Sequence, residues 1–269
     1  MTPSRSRIIA CAAGVITILL TASLGQWQLR RADEKQHAQT QLLASQQLPA
    51  WQSSDWPCDT RAGKSLRVQR PAQMTGTWLT ERTIWLDNRT QQGRTGFEAV
   101  TPLRLHAPGS ACDGRLLLVQ RGWVPRDARD RQRVPELPTA SGQVTVPGRV
   151  ALTLSRVYQL GTEAQPAPMP GPVTAPAQPL IRQNADAAFW QAWLGQPPLP
   201  GALLQVQAEP ESPATTLSRQ WPAPDLGRDK HLAYAAQWFA LSALAAGLTL
   251  WFQLIRPRRL AQRSHHAAT

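Results

Sequence analysis

The stretch Leu24-Gly25-Gln26-Trp27-Gln28-Leu29-Arg30-Arg31-Ala32-Asp33-Glu34-Lys35 decides the fold, because an apolar run stops there and the polar bulk of the chain begins. Ile8 to Leu24 holds no charge and no proline, and the uncharged span reaches 20 residues at Trp27. That length matches a helix crossing the hydrocarbon core of a bilayer. Trp27 falls where an indole is favoured at headgroup level. Arg30 and Arg31 follow within one turn, where their stems can snorkel to the interface. A cleaved signal peptide is the rival reading, with Arg5 and Arg7 as its basic start and Ser23-Leu24-Gly25 as a weak cleavage site. Its apolar run of 17 residues is longer than the usual 7–15, which favours an anchor.

A second uncharged, proline-free run, Leu232 to Ile255, is 24 residues long. It is too long for an ordinary core helix and reads as a second span. Two spans put both termini on one side of a membrane and the region between them on the other. Arg5, Arg7, Arg256, Arg258, Arg259 and Arg263 lie outside the spans with no acidic residue among them. Arg30, Arg31, Lys35, Arg228 and Lys230 lie on the inner flanks, diluted by Asp33, Glu34, Asp225 and Asp229. The positive-inside rule then places the termini in the cytoplasm by a narrow margin. The boundaries expected are a cytoplasmic N-terminus over 1–7, spans over 8–29 and 231–255, a periplasmic domain over 30–230 and a basic cytoplasmic tail over 256–269.

The net charge of +12 resembles a nucleic-acid signal until it is divided along the chain. Residues 31–231 hold 22 Lys and Arg against all 17 Asp and Glu, with no basic helix or aromatic-basic stripe. Nucleic acid is excluded as a partner, and the basic ends suit anionic lipid headgroups. The middle region is long enough for one core. The first helix is expected to continue to about Gln47, ahead of Pro49. Strands are expected over Lys64–Arg70, Met74–Trp78, Thr83–Asp87, Gly96–Leu105, Gly114–Val124, Gln143–Leu154 and Leu203–Gln207, with a turn over Asn88–Gly93. Pro147-Gly148 implies an edge or a bulge. Six prolines between Gly161 and Pro179 make that stretch a partly polyproline loop. Asp186 caps a short helix through Leu194 that turns Phe189, Trp190 and Trp193 inward. The fold class is membrane-anchored α+β, with two transmembrane helices flanking one β-rich, antiparallel or barrel-like domain.

Catalytic constellations are absent from the sequence. The five histidines form no H-x-x-x-H pair, and no C-x-x-C, G-x-S-x-G, phosphate loop or dinucleotide fingerprint occurs. No catalytic residue is assigned and the chain is read as a non-enzyme. Cys11 lies within the first span. Cys58 and Cys112 sit in loops of the outer domain, where an oxidising compartment favours a disulfide; two unpaired thiols are the alternative.

Leu24-Gly25-Gln26-Trp27-Gln28-Leu29-Arg30 with Lys35, Gly76-Thr77-Trp78, Leu86-Asp87-Asn88-Arg89, Gly96-Phe97-Glu98-Ala99-Val100-Thr101-Pro102-Leu103, Leu117 to Pro125, and His231 to Phe239 stand in this order along the chain. Together they resemble the surfeit locus protein 1 family. Gln120 stands where that family often has Asn, and the Pro-rich loop is longer than the family's. The resemblance implies a two-span inner-membrane assembly factor for haem–copper cytochrome c oxidase. It implies help with haem a delivery or insertion into subunit I, with subunit I and the haem a synthesis machinery as partners. A membrane-anchored scaffold binding only protein is the alternative.

With haem a as the implied group, the residues that suit it are few. Its iron prefers an imidazole, its propionates need cations, and its ring and tail need apolar faces. His231 is the candidate axial ligand at the start of the second span. Arg30 and Arg31 are candidates for the propionates, and Trp27, Tyr234 and Trp238 for ring contact. An ordinary interfacial His is the competing reading of His231. His37, ten residues past Trp27 and about 15 Å away at helical rise, lies too far out. Arg121 and Trp123 admit two readings, core residues or anchors presented to a partner.

Overall fold

The long uncharged run continues without proline or glycine pairs into the Ala/Gln-rich segment, and nothing interrupts its helical hydrogen bonding. In the computed structural model, which describes residues 5–58, 65–159, 161, 179–207, 217–221 and 227–259, one helix, α1, accordingly runs Arg5–Gln46. After it come β1 (Trp51–Gln52), β2 (Pro71–Trp78), β3 (Ile84–Gln91), β4 (Arg94–Leu105), β5 (Leu116–Pro125), β6 (Gln143–Ala151) and β7 (Leu180–Arg182). The order ends with α2 (Ala187–Leu194), β8 (Ala202–Gln205) and α3 (Arg228–Leu250), which passes into a π-helical turn over Trp251–Ile255. The chain forms two units, residues 1–41 with 224–269 and residues 42–223. Both long helices are long and apolar enough to cross a membrane.

In the second unit the strands form one sheet in the order β1-β2-β6-β8-β5-β4-β3-β7, and β2 also pairs with β4. That extra pairing, Gly76 with Leu105 through Trp78 with Leu103, closes β2, β6, β8, β5 and β4 into a ring. The domain is therefore barrel-like. The long pairings in the ring are antiparallel, whereas β1–β2, β3–β7 and β5–β8 are short and parallel. One core lies among Met74, Trp78, Leu103, Leu117, Val119, Val146, Val150 and Leu203. A second packs α2, through Phe189, Trp190 and Trp193, on Ile84, Leu86, Val100 and Leu118. β5 is buried on both faces because Leu117 and Val119 enter the first core and Leu118 enters the second.

Three expectations need correction. Residues 65–70 are not a strand: Gln69 takes a positive φ of 65°, and a turn closes with Arg70 N–H donating to Arg67 C=O at 3.2 Å. The turn over Asn88–Gly93 is shorter than expected. β3 continues to Gln91 across a bulge between Leu86 and Arg89, and only Gln92-Gly93 makes the hairpin turn. Both turn residues have positive φ, as a two-residue hairpin of this twist requires. Finally, β6 is neither an edge nor bulged, since it lies between β2 and β8 in regular register. The Pro147 carbonyl accepts from Val206 N–H just past the end of β8, so its nitrogen also points away from β2 and no bond to β2 is lost. The Pro-rich stretch 161–179, save its two end residues, and residues 210–216 and 222–224 of the approach to the second span lie outside the described residues.

The Asp186 cap is formed as the sequence suggests, its carboxylate accepting from Phe189 N–H at 2.7 Å. Cys58 and Cys112 are joined by a disulfide, with Cα atoms 5.2 Å apart. It links positions 54 apart in the chain, and closing such a loop contributes about 4 kcal/mol in the chain-entropy account. Thiol labelling of denatured, unreduced protein is expected to modify Cys11 alone. Modification of all three cysteines would contradict the bridge.

Candidate functional site

Small residues recur on α1 at heptad spacing, and that spacing fixes how the first unit packs. Gly14, Gly25 and Ala32 share one face with Ile18, Thr21, Gln28 and Lys35, which recur at intervals of three and four. Opposite them on α3 stand His231, Ala235, Trp238, Ser242 and Thr249. Ala32 and Ala235 are buried. A Cβ at Gly25 would come within 2.8 Å of the Phe239 ring, so the glycine permits close approach. Ser242 Oγ donates to the Ile18 carbonyl at 3.1 Å. Arg228 Nε donates to Gln36 Oε1 at 3.0 Å, and Arg7 Nη2 to the Gln253 carbonyl at 3.2 Å. The two helices are thus antiparallel partners with a polar seam at both ends.

His231 lies half-buried in the first turns of α3, and its Nδ1 is 2.7 Å from Gln28 Oε1. This contact sets the imidazole at the level of residue 28 of α1, within one turn of Trp27, Arg30 and Arg31. Trp27 and Tyr234 are about half exposed, large aromatic surfaces beside a polar seam. Trp238 is half-buried. Arg31 stacks over the Trp27 ring at 5.9 Å and pairs with Glu34 at 2.7 Å. Arg30 is exposed, with no hydrogen bond or ion pair among the described residues. No hydrogen bond or ring contact joins Tyr234 or Trp238 to His231 among the described residues. Of the candidate set, then, the structure brings His231 to α1 and Arg31 to Trp27, and leaves the other members as neighbours in level only.

Arg121 and Trp123 are corrected as partner anchors, because both are buried. The Arg121 guanidinium lies over the Trp78 ring at 4.6 Å and donates to Thr139 Oγ1 at 2.6 Å. Trp123 Nε1 donates to the Arg89 carbonyl at 2.8 Å. They belong to the core reading.

The sequence reading missed a buried charge cluster around Arg89. That side chain donates to Ser155 Oγ at 2.8 Å, Asp87 C=O at 2.6 Å, Ser155 C=O at 2.7 Å and Gln183 C=O at 2.9 Å. Glu98 stands 3.8 Å away and accepts from Gln120 Nε2 at 2.8 Å and from the Ser155 hydroxyl. Burial lowers the Arg89 guanidinium from its ordinary range, while Glu98 and Asp87 pull it back up. Each of these residues stands in a stretch singled out in the sequence, save Ser155 and Gln183. What the sequence lacks is any sign that Arg89 points inward. Gln28 was also missed, although Gly25, Gln28 and Ala32 lie on one helical stripe.

The SURF1 family model matches residues 15–243, from within α1 to within α3. The chain belongs to the SURF1 family. Its members are assembly factors for cytochrome c oxidase rather than a catalytic family, so partners of the SURF1 chain lie in the oxidase complex. A search of curated protein sequences returned no match. The SURF1 match takes in most of both helices and the whole barrel, including the His231–Gln28 contact and the Arg89 cluster.

Proposed function

We propose that this SURF1-family chain assists the delivery or insertion of haem a into oxidase subunit I, working beside the machinery that makes haem a. The observation that supports this reading is the register of the helix pair. His231 is hydrogen-bonded to Gln28, so an imidazole stands at the level of two arginines and two half-exposed aromatics. These donors fit haem a. Haem iron carries four ring nitrogens of its own, so a single imidazole supplies what the protein must add. His231 would hold the iron, Arg30 and Arg31 the propionates, and Trp27, Tyr234 and Trp238 the ring. When bound, haem a would be cargo, and the chain's residues only bind and orient it.

The proposed placement is the bacterial inner membrane, spanned by 8–29 and 231–255. Residues 1–7 and 256–269 are cytoplasmic and 30–230 periplasmic, following the basic flanks of the spans. A phosphatase fused after Thr269 is expected to be inactive and one inserted within 161–179 active; the reverse pair would contradict this topology.

The functional test is the haem content of the oxidase. Subunit I isolated from cells lacking this chain is expected to carry substoichiometric haem a. Full haem a occupancy would contradict the proposal and favour a scaffold that binds only protein.

A further inference from the structure

We infer that Gln28 is a positioning residue, which fixes the tautomer and orientation of His231 so that Nε2 faces outward as the ligand atom. This rests on the reading of His231 as a haem ligand and extends it to a residue that need not touch the haem. An amide oxygen has lone pairs and no proton, so Gln28 Oε1 can only accept. At 2.7 Å from Nδ1 it requires Nδ1 to carry the hydrogen. A neutral imidazole protonated at Nδ1 holds its lone pair at Nε2, which has no hydrogen-bond partner among the described residues. Metal-bound imidazoles are held in this way, the outer nitrogen donating to an oxygen that locks the ring and raises ligand basicity.

Gln28 lies on the α1 seam between Gly25 and Ala32, both buried, and its backbone is fixed by a continuous helix. A ring held from such a position loses little rotational freedom on binding metal. Gln28 therefore couples the packing of α1 on α3 to the readiness of His231.

Full-length protein from cells that make no haem a is titrated with haem a in detergent, as wild type, Gln28→Leu, Gln28→Glu and His231→Ala. Leu approximates the volume of Gln and removes the acceptor; Glu keeps it. Gln28→Leu is expected to weaken haem a binding by about 10–100-fold, the usual cost of an outer-shell partner. Gln28→Glu is expected to restore the affinity and to lower the haem reduction potential, since a carboxylate donates more strongly through the ring. Independently of haem, nitrogen NMR of the apo-protein is expected to show His231 protonated at Nδ1 in wild type and mixed in Gln28→Leu. If His231→Ala loses haem a but Gln28→Leu binds it as wild type does, with the same tautomer, the inference about Gln28 is wrong and the ligand assignment stands. If His231→Ala binds haem a unchanged, the ligand assignment itself fails and the inference falls with it.

Discussion

Arg89→Met is expected to destabilise the β-domain by about 3–5 kcal/mol, the cost of removing one partner from a buried charge pair. The side chain is 4% exposed and makes four hydrogen bonds, three of them to carbonyl oxygens. Those bonds tie β3 to the segment around Ser155, which no strand pairing joins to it, and carry its contact with β7 one residue past Arg182 to Gln183. Methionine fills a similar volume but leaves the carbonyls unsatisfied and Glu98 without its cation. Arg89→Lys restores the charge but not the planar fork, so a smaller loss of about 1.5–3 kcal/mol is expected. Urea unfolding of the purified full-length protein, followed by tryptophan fluorescence, measures both. A change below about 1 kcal/mol for Arg89→Met would show that the cluster contributes little net stability.

His231→Ala is expected to reduce haem a affinity by more than about 100-fold, beyond the range of an outer-shell partner. The substitution sits in the first turns of α3 on a half-buried side chain, and alanine is the best helix former. The helix therefore persists and the variant inserts as the native chain does. The β-domain, whose cores do not include His231, is expected to unfold within about 0.5 kcal/mol of wild type. An absorption titration in detergent reads the affinity. A variant that binds haem a with an unaltered spectrum would remove His231 as the ligand.

Much of the architecture was legible because it depends on local pattern. An uncharged run of 24 residues, Leu232 to Ile255, has few folded alternatives. The Asp186 cap and the inward aromatics of α2 follow from helical spacing. The apolar stretch ending at Pro125 reads as a central strand, and β5 is one. What stayed hidden depends on partners distant in sequence. The β2–β4 pairing that closes the barrel joins Gly76 to Leu105, and no local signal marks it. Pro147 reads as an edge residue until β8 is known to stop beside it.

The same division holds for the candidate site. His231, Arg30 and Trp27 could be named as candidates because the family resemblance implies haem a and these residues stand where the two spans leave the membrane. Gln28 could not, because a glutamine at a helix interface gains meaning only from the ring it meets across the seam. Arg121 stayed open for the same reason: beside Gly122 and Trp123 it reads equally as a core residue or a presented anchor, and only the fold turns it inward over Trp78.

The most direct measurement is the visible absorption spectrum of the full-length protein, purified in detergent from cells that synthesise haem a. The account predicts haem a co-purifying with the wild-type chain, its spectrum that of an imidazole-ligated haem. A folded, disulfide-bonded preparation from such cells that carries no haem a would contradict it.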